Sequence, residues 1–338
     1  MSSRSTFTIP YETSNSTLVE SLLGGLAVSM FVATWISSLF SPILFVLSIR
    51  NEKYLITAFI TTVAIAAYLP WKKGPISRAF TSFLRTHAMY YKKCAFVFCG
   101  ESNPEEAKLK SKSKSESDTS KPMFFAVHPH GAFCSGWSLL VTAPFMTSVR
   151  FCFSPALYYS PFFKLFCRLG VKPGKADKAS MIGYMKKGEN LALPPGGFEE
   201  ATITGRQDRA YIKKRPGFIK LCLKHGYSVV PVYVFGENLL FSNVQGMWKL
   251  RLWINSLGMP AVAVWGSAFL PLAPQRHPCG IHIVAGEPLD LPKIEDPTRE
   301  EVKKWHDKYM AGLTKIFEEH KCDAYGEEEG KTMKLELW

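Results

Sequence analysis

From Ser21 to Ile49 the chain carries no charged residue, and after Arg50-Asn51-Glu52-Lys53 a second uncharged run extends from Tyr54 to Trp71. About 20 consecutive apolar residues suffice for a helix to cross a bilayer, and each run is of that order. Two runs joined by so short a loop predict a membrane helical hairpin over residues 21–71. A tail of residues 1–20 precedes it, and one domain over residues 72–338 follows. A cleaved signal peptide fits less well. The basic segment ahead is thin, the apolar stretch exceeds the usual core of such a signal, and no small-residue cleavage site is evident. Pro42 with Ser37, Ser38 and Ser41 leaves room for a kinked or re-entrant first segment, with the same sidedness.

Lys72, Lys73, Arg78, Arg85, Lys92 and Lys93 follow the second run, against Arg50 and Lys53 in the loop and Arg4 ahead. Basic flanks stay cytosolic, so both termini and the main domain are expected in the cytosol. The sequon Asn15-Ser16-Thr17 should then remain unmodified. Lys and Arg exceed Asp and Glu by 41 − 28 = +13, which favours an anionic partner: nucleic acid, a membrane surface or a phosphate-bearing small substrate. Hydrophobic residues make up 47% of the chain, too many for a disordered one. Cysteines stand at 94, 99, 134, 152, 167, 222, 279 and 322, with no C-x-x-C pair and no Cys/His cluster at zinc-ligand spacing. They read as reduced thiols in a reducing compartment, and no metal is expected.

Glu101 to Pro122 is rich in Lys, Ser and Glu and reads as a flexible insertion at 101–122. Beyond it, strand-like runs (Met123 to Val127, Asn190 to Leu193, Ser228 to Val234, His282 to Ala285) alternate with helical ones (Pro161 to Leu169, Lys178 to Lys187, Pro216 to His225, Thr298 to His320). This alternation predicts an α/β fold whose mixed or mainly parallel sheet is flanked by helices. The uncharged tract Met259 to Leu272 is too interrupted for a span. It reads either as core strand plus turns or as a wall that meets lipid.

Three motifs carry chemistry. His128-Pro129-His130-Gly131 follows the first predicted strand, where α/β folds place reactive groups. A histidine there can act as general base, since its pKa lies near working pH, and the bland alternative is a turn with satisfied imidazoles. Pro194-Pro195-Gly196-Gly197-Phe198-Glu199-Glu200 follows the next strand. A Gly-Gly turn can present backbone N–H groups to an oxyanion, and a carboxylate can position a hydroxyl or a histidine. Lys213-Lys214-Arg215 precedes a helix and suits phosphate, or simply a solvated basic face. The chain has no P-loop, no dinucleotide fingerprint and no G-x-S-x-G elbow. What remains is base-assisted transfer without a nucleotide cofactor, between an apolar substrate from the bilayer and an anionic one from the cytosol. A non-enzymatic lipid-binding or lipid-droplet scaffold is the contrasting reading; it leaves these strand-end motifs unexplained.

Taken together, the double apolar segment, His128-Pro129-His130-Gly131, Pro195-Gly196-Gly197-Phe198-Glu199-Glu200, Arg215-Pro216-Gly217-Phe218, Val230-Pro231-Val232-Tyr233-Val234-Phe235-Gly236-Glu237-Asn238, Gly286-Glu287-Pro288-Leu289 and His306, Tyr309, Leu313 and Phe317 make the chain similar to the diacylglycerol acyltransferase type 2 family. That family includes monoacylglycerol and wax-ester acyltransferases. The resemblance implies a glycerolipid-acyltransferase-like fold and acyl-CoA-dependent acylation of diacylglycerol at the endoplasmic reticulum membrane, in contact with lipid droplets. It implies acyl-CoA, diacylglycerol and membrane lipids as partners, no nucleic acid, and no cofactor, since acyl-CoA is a substrate. Self-association occurs in the family, so a homo-oligomer stays open. The resemblance places the catalytic base at His130, with His128 as the alternative. Related enzymes use a His-x4-Asp pattern; here Ser135 and Phe133 stand where the aspartate would be, and Glu200 is expected to supply the carboxylate. The oxyanion would be held near Gly131 or Gly196-Gly197, and the coenzyme A phosphates by Lys213, Lys214 and Arg215. The tail Met333 to Trp338 resembles the retrieval tails of some plant and algal members.

Overall fold

A computed structural model describes residues 9–11, 17–70, 75–100, 121–268 and 272–338. Asn15 and Ser16 of the sequon, the pair Lys72-Lys73 and Glu101 to Ser120 of the insertion lie outside the described residues. In chain order the elements are β1 (Ile9–Tyr11), α1 (Leu18–Arg50), α2 (Tyr54–Tyr68), α3 (Pro75–Arg85), β2 (Cys94–Phe98), β3 (Met123–His128), α4 (Ser135–Thr142), β4 (Arg150–Phe153), α5 (Pro155–Tyr159), α6 (Pro161–Gly170), β5 (Pro173–Lys175), α7 (Lys178–Lys186), β6 (Leu191–Leu193), α8 (Gly197–Ile203), β7 (Asp208–Ala210), α9 (Gly217–His225), β8 (Ser228–Phe235), β9 (Ser242–Asn243), α10 (Trp248–Ser256), β10 (Val264–Trp265), β11 (Ile281–Ala285), β12 (Leu289–Asp290), α11 (Arg299–Tyr325), α12 (Glu327–Thr332) and β13 (Leu335–Leu337).

The main sheet has nine strands in the order β1-β2-β11-β8-β3-β6-β4-β5, with β12 pairing β8. The run β8-β3-β6-β4-β5 is parallel throughout. It joins β11 antiparallel, which makes the sheet mixed as the alternation of strands and helices predicts. Strand β3 shows why it lies at the centre. Every residue of Met123–His128 is buried, and successive side chains leave opposite faces. Phe125 and Val127 enter a core with α1, α4 and α6, while Phe124 and Ala126 enter one with α9 and α11. The sheet is thus covered by helices on both sides.

Helix boundaries follow local chemistry. Thr17 and Glu20 form a capping box at the start of α1, and Thr298 and Glu301 do so for α11. Asp177 caps α7 by accepting the Ser180 N–H at 3.0 Å, which accounts for an acidic residue between Lys175 and Lys178.

Helix α1 runs unbroken for 33 residues, with Pro42 inside it. Among the described residues, Leu18–Ser38 is the one helical stretch long and apolar enough to cross a membrane, and Tyr54–Tyr68 is apolar but shorter. The first half of α1 is also part of the globular core. Ala27, Val28, Phe31 and Val32 are buried, against Tyr91, Leu84, Phe166 and their neighbours. Its far half and α2 instead expose Phe40, Ile43, Leu44, Val46, Leu55 and Phe59.

The last residues form β13, parallel to β7, with Leu335 opposite Asp208 and Leu337 opposite Ala210. The Trp338 carbonyl accepts the backbone N–H groups of Ile212 and Lys213. The retrieval-like tail is therefore built into the fold beside the segment that leads to Arg215. None of the eight cysteines forms a disulfide, and six are buried.

Candidate active site

Strands β6, β3 and β8 are adjacent and parallel, so their carboxyl ends share one edge of the sheet, the edge where open α/β sheets bind ligands. There β3 delivers the His128–Gly131 turn through a cis His128–Pro129 peptide, β6 the Pro194–Gly197 turn and β8 Gly236-Glu237. The three sequence motifs that reach this edge meet because the strands that carry them are neighbours.

Glu200, in the first turn of α8, is fully buried and accepts three hydrogen bonds. The imidazole Nδ1 of His128 donates to Oε1 at 2.7 Å, the backbone N–H of His130 donates to Oε2 at 2.7 Å, and the N–H of Tyr211 donates to Oε1 at 2.9 Å. The carboxylate expected for the base is present, but it holds the His128 ring and the His130 backbone, not the His130 ring. His128 Nε2 is buried without a partner.

The His130 ring is placed differently. Its Nδ1 lies 2.9 Å from the Gly131 carbonyl, so Nδ1 carries the proton and Nε2 keeps the lone pair that a base needs. Burial lowers its pKa below the usual imidazole value, which keeps it neutral at working pH. The ring lines a cavity of about 170 Å³ walled by Trp35, Trp137, Leu157, Leu193 and Phe198. Trp35 comes from α1 and meets it edge-on, with ring centroids 6.0 Å apart and planes at 87°. His128 is absent from that wall.

A second buried carboxylate at this edge belongs to a motif in which the sequence assigns it no role. Glu237, just past β8, accepts the backbone N–H groups of Ser135 at 2.9 Å and Gly136 at 2.6 Å, the start of α4. Burial raises its pKa to about 7. Ser135 is the residue at the His-x4-Asp position, so a carboxylate does reach that spot, but from another strand. Its signal was its place in Gly236-Glu237-Asn238 directly after a strand.

The glycines make room for these acids. A Cβ on Gly131, where φ is +62°, would lie 2.2 Å from Glu237 Oε1, and one on Gly196 would lie 2.3 Å from Glu200 Oε2. Gly197 lines the cavity and has φ +58°. Lys213 and Lys214 are exposed. Arg215 instead forms an ion pair with Glu199, the neighbour of Glu200, and its guanidinium lies over the Tyr211 ring.

The site is thus a buried, neutral imidazole at the carboxyl edge of a mixed sheet, facing an apolar cavity that the N-terminal apolar helix helps to wall. A family model described as diacylglycerol acyltransferase matches residues 107–337. Among relatives, 2-acylglycerol O-acyltransferase 1 of Bos taurus is 32% identical over 240 residues, 64% of this chain and 70% of that one. Diacylglycerol O-acyltransferase 2 of Dictyostelium discoideum is 31% identical over 235 residues, 63% and 70% of the two chains. The solved PlsC 1-acyl-sn-glycerophosphate (LPA) acyltransferase of Thermotoga maritima overlaps 88% of this chain and 97% of that one at TM-score 0.41 and 14% identity, a likeness too loose to support an inference. The chain belongs to the diacylglycerol acyltransferase family and is an O-acyltransferase.

Proposed function

We propose that this chain transfers the acyl group of acyl-CoA to the free hydroxyl of diacylglycerol, with His130 as general base. The observation that carries this reading is the His130 ring, neutral, tied through Nδ1 to the Gly131 carbonyl and bordering the apolar cavity. Nε2 takes the hydroxyl proton as the oxygen attacks the thioester carbonyl. The C–O bond forms, the tetrahedral oxyanion is held by backbone N–H groups at Gly131 or Gly196-Gly197, and the C–S bond then breaks. The imidazolium returns its proton to the departing coenzyme A thiolate, so the base is regenerated. Glu200 and His128 position this machinery through the turn that carries His130. Lys213 and Lys214 are the exposed cations for the coenzyme A phosphates, and Arg215 braces their loop against Glu199. The same charges suit an anionic membrane surface.

Helices α1 and α2 seat the protein in the endoplasmic reticulum membrane with its main domain in the cytosol, and the cavity behind Trp35 receives the acceptor. Monoacylglycerol is the second acceptor to test, because a relative at 32% identity is named a 2-acylglycerol O-acyltransferase. Membranes carrying wild type or His130→Ala at equal abundance are given labelled oleoyl-CoA with diacylglycerol, monoacylglycerol or hexadecanol. Label in triacylglycerol that is lost in the variant supports acceptor and base together. Faster labelling of another acceptor keeps the base and changes the substrate, and labelling that survives in the variant removes His130 from the reaction.

A further inference from the structure

Helix α10 (Trp248–Ser256) is inside out. Its inward residues are Arg251 and Asn255, one turn apart, only 6% exposed each. Its outward residues are Leu250, Trp253 and, just past its end, Leu257, exposed by 50%, 58% and 55%. Met247 before it and Met259 after it are exposed as well. A helix on a water-facing surface has the reverse pattern, apolar residues inward and polar ones outward.

The inversion is locked, because the buried polar side chains are fully engaged. Arg251 donates from Nε to the Ala261 carbonyl at 2.9 Å, from Nη1 to the Val244 carbonyl, and from Nη2 to the Thr202 carbonyl and Asn243 Oδ1, each at 3.0 Å. Asn255 donates to the Phe198 carbonyl at 3.2 Å and to Thr202 Oγ1 at 2.8 Å, and accepts from the Ala261 N–H. Rolling the helix to hide its leucines would leave a buried guanidinium and amide unpaired.

Charge selects the occupant. Between Glu237 and Glu287 the chain has no acidic residue, while Lys249 stands exposed beside the apolar stripe. Tryptophan is the residue that prefers the junction of hydrocarbon and headgroups, and both Trp253 and Trp265 are about half exposed on this segment. A stripe of leucine and tryptophan beside Lys249, on a stretch of chain with no acidic residue, complements a lipid surface. Its position fits as well. The Phe198 carbonyl that Asn255 holds belongs to the wall of the His130 cavity, whose other wall includes Trp35 of α1.

We infer that α10 lies in the plane of the bilayer interface with Leu250, Trp253 and Leu257 in the lipid, a second membrane contact, tied to the wall of the His130 cavity through Phe198. This contact does not depend on the reaction, and the first test reads it without turnover. The full chain, with Cys99→Ser and Cys322→Ser, is reconstituted in phosphatidylcholine vesicles containing a minority of phosphatidylserine. An environment-sensitive fluorophore is attached at Leu250→Cys, Leu257→Cys, Leu44→Cys or Lys304→Cys, and nitroxide-bearing phosphatidylcholine is added. The labels at 250 and 257 are expected to lose most of their emission, as at 44, while the label at 304 keeps it. Emission that is water-like and unquenched at 250 and 257 overturns the inference. So does emission shielded from water but untouched by the lipid quencher, which would mean that another protein or a second copy covers the face. As a second measurement, Leu250→Ser/Trp253→Ser/Leu257→Ser is expected to raise KM severalfold for vesicle-borne acceptor and leave kcat on detergent-dispersed acceptor unchanged. An unchanged KM on vesicles counts against the contact.

Discussion

His128 Nδ1 and Glu200 Oε1 lie 2.7 Å apart with both side chains wholly buried, so the carboxylate orients the histidine that does not face the cavity. The two imidazoles of one tetrapeptide thereby hold different positions. His128 ties the turn to α8, and His130 presents its ring to the cavity.

The two histidines should therefore fail differently. His130→Ala is expected to lower kcat by about 10² to 10⁴, the usual effect of losing a general base, with little change in Tm. His128→Ala leaves a buried carboxylate short of one donor and should cost about 1 to 3 kcal/mol of stability as well as activity. Thermal unfolding and single-turnover acyl transfer on the same preparations separate the two outcomes.

Activity should extend to acidic pH. The base must be neutral, and burial holds His130 below the ordinary imidazole value of 6.5, so the acid limb of kcat/KM is expected below that pH. A profile that falls with a midpoint at or above 6.5 contradicts the assignment.

Glu200→Gln keeps the shape but offers one acceptor oxygen to three donors: the His128 ring, the His130 N–H and the Tyr211 N–H. Loss of both activity and stability is expected. Full rate at normal protein abundance would show that the turn needs no carboxylate.

Gly131→Ala and Gly196→Ala each place a methyl about where a carboxylate oxygen already sits, 2.2 Å and 2.3 Å from it. Both should be inactive or poorly folded. Gly183→Ala, in the middle of α7 with nothing within 4 Å of the added carbon, should instead be neutral or stabilising by about 0.5 to 1 kcal/mol. The three melting temperatures test the contrast.

Most of the sheet was legible because its strands are buried on both faces and read as apolar runs: Met123 to Val127 and Ser228 to Val234 match β3 and β8 closely. Cys94–Phe98 and Arg150–Phe153 were missed. The first follows an irregular stretch, and the second is too short to set a period. His128, His130 and Glu200 could be named, yet which histidine takes the carboxylate depends on the cis turn and on α8, and no spacing encodes that. Glu237 was quoted in a motif and given no role, since its partners, Ser135 and Gly136, are a hundred residues away in the chain. Gly131 and Gly196 read as oxyanion donors; that each also stands where a side chain would displace an acid is set by the folded turns, which place Glu237 against Gly131 and Glu200 against Gly196. The uncharged tract after Arg251 left two readings open. Exposure of Met259, Trp265 and Leu272 favours the surface one.

Glu237 should leave a mark on stability against pH. Its pKa rises from 4.5 to about 7 on folding, so the folded state holds a proton that the unfolded state releases between those values. Its contribution is full below pH 4.5 and is lost as pH rises toward 7. His87, lowered by burial to about 4, acts in the opposite sense, since its stability is lost as pH falls below 6.5. The difference in Tm between wild type and Glu237→Gln isolates the carboxyl group and should shrink from pH 4.5 to pH 7.5. A difference that is flat over this range would mean that Glu237 is ionised throughout.

Trp35 gives α1 a second identity. A detachable anchor could be cut off or exchanged for any other apolar helix, and the soluble remainder purified for study. Here that operation removes a wall of the His130 cavity and opens the ring to solvent; under the proposed function, the helix assigned to hold the enzyme at its membrane is also the wall that keeps water from competing with the acceptor for the acyl group.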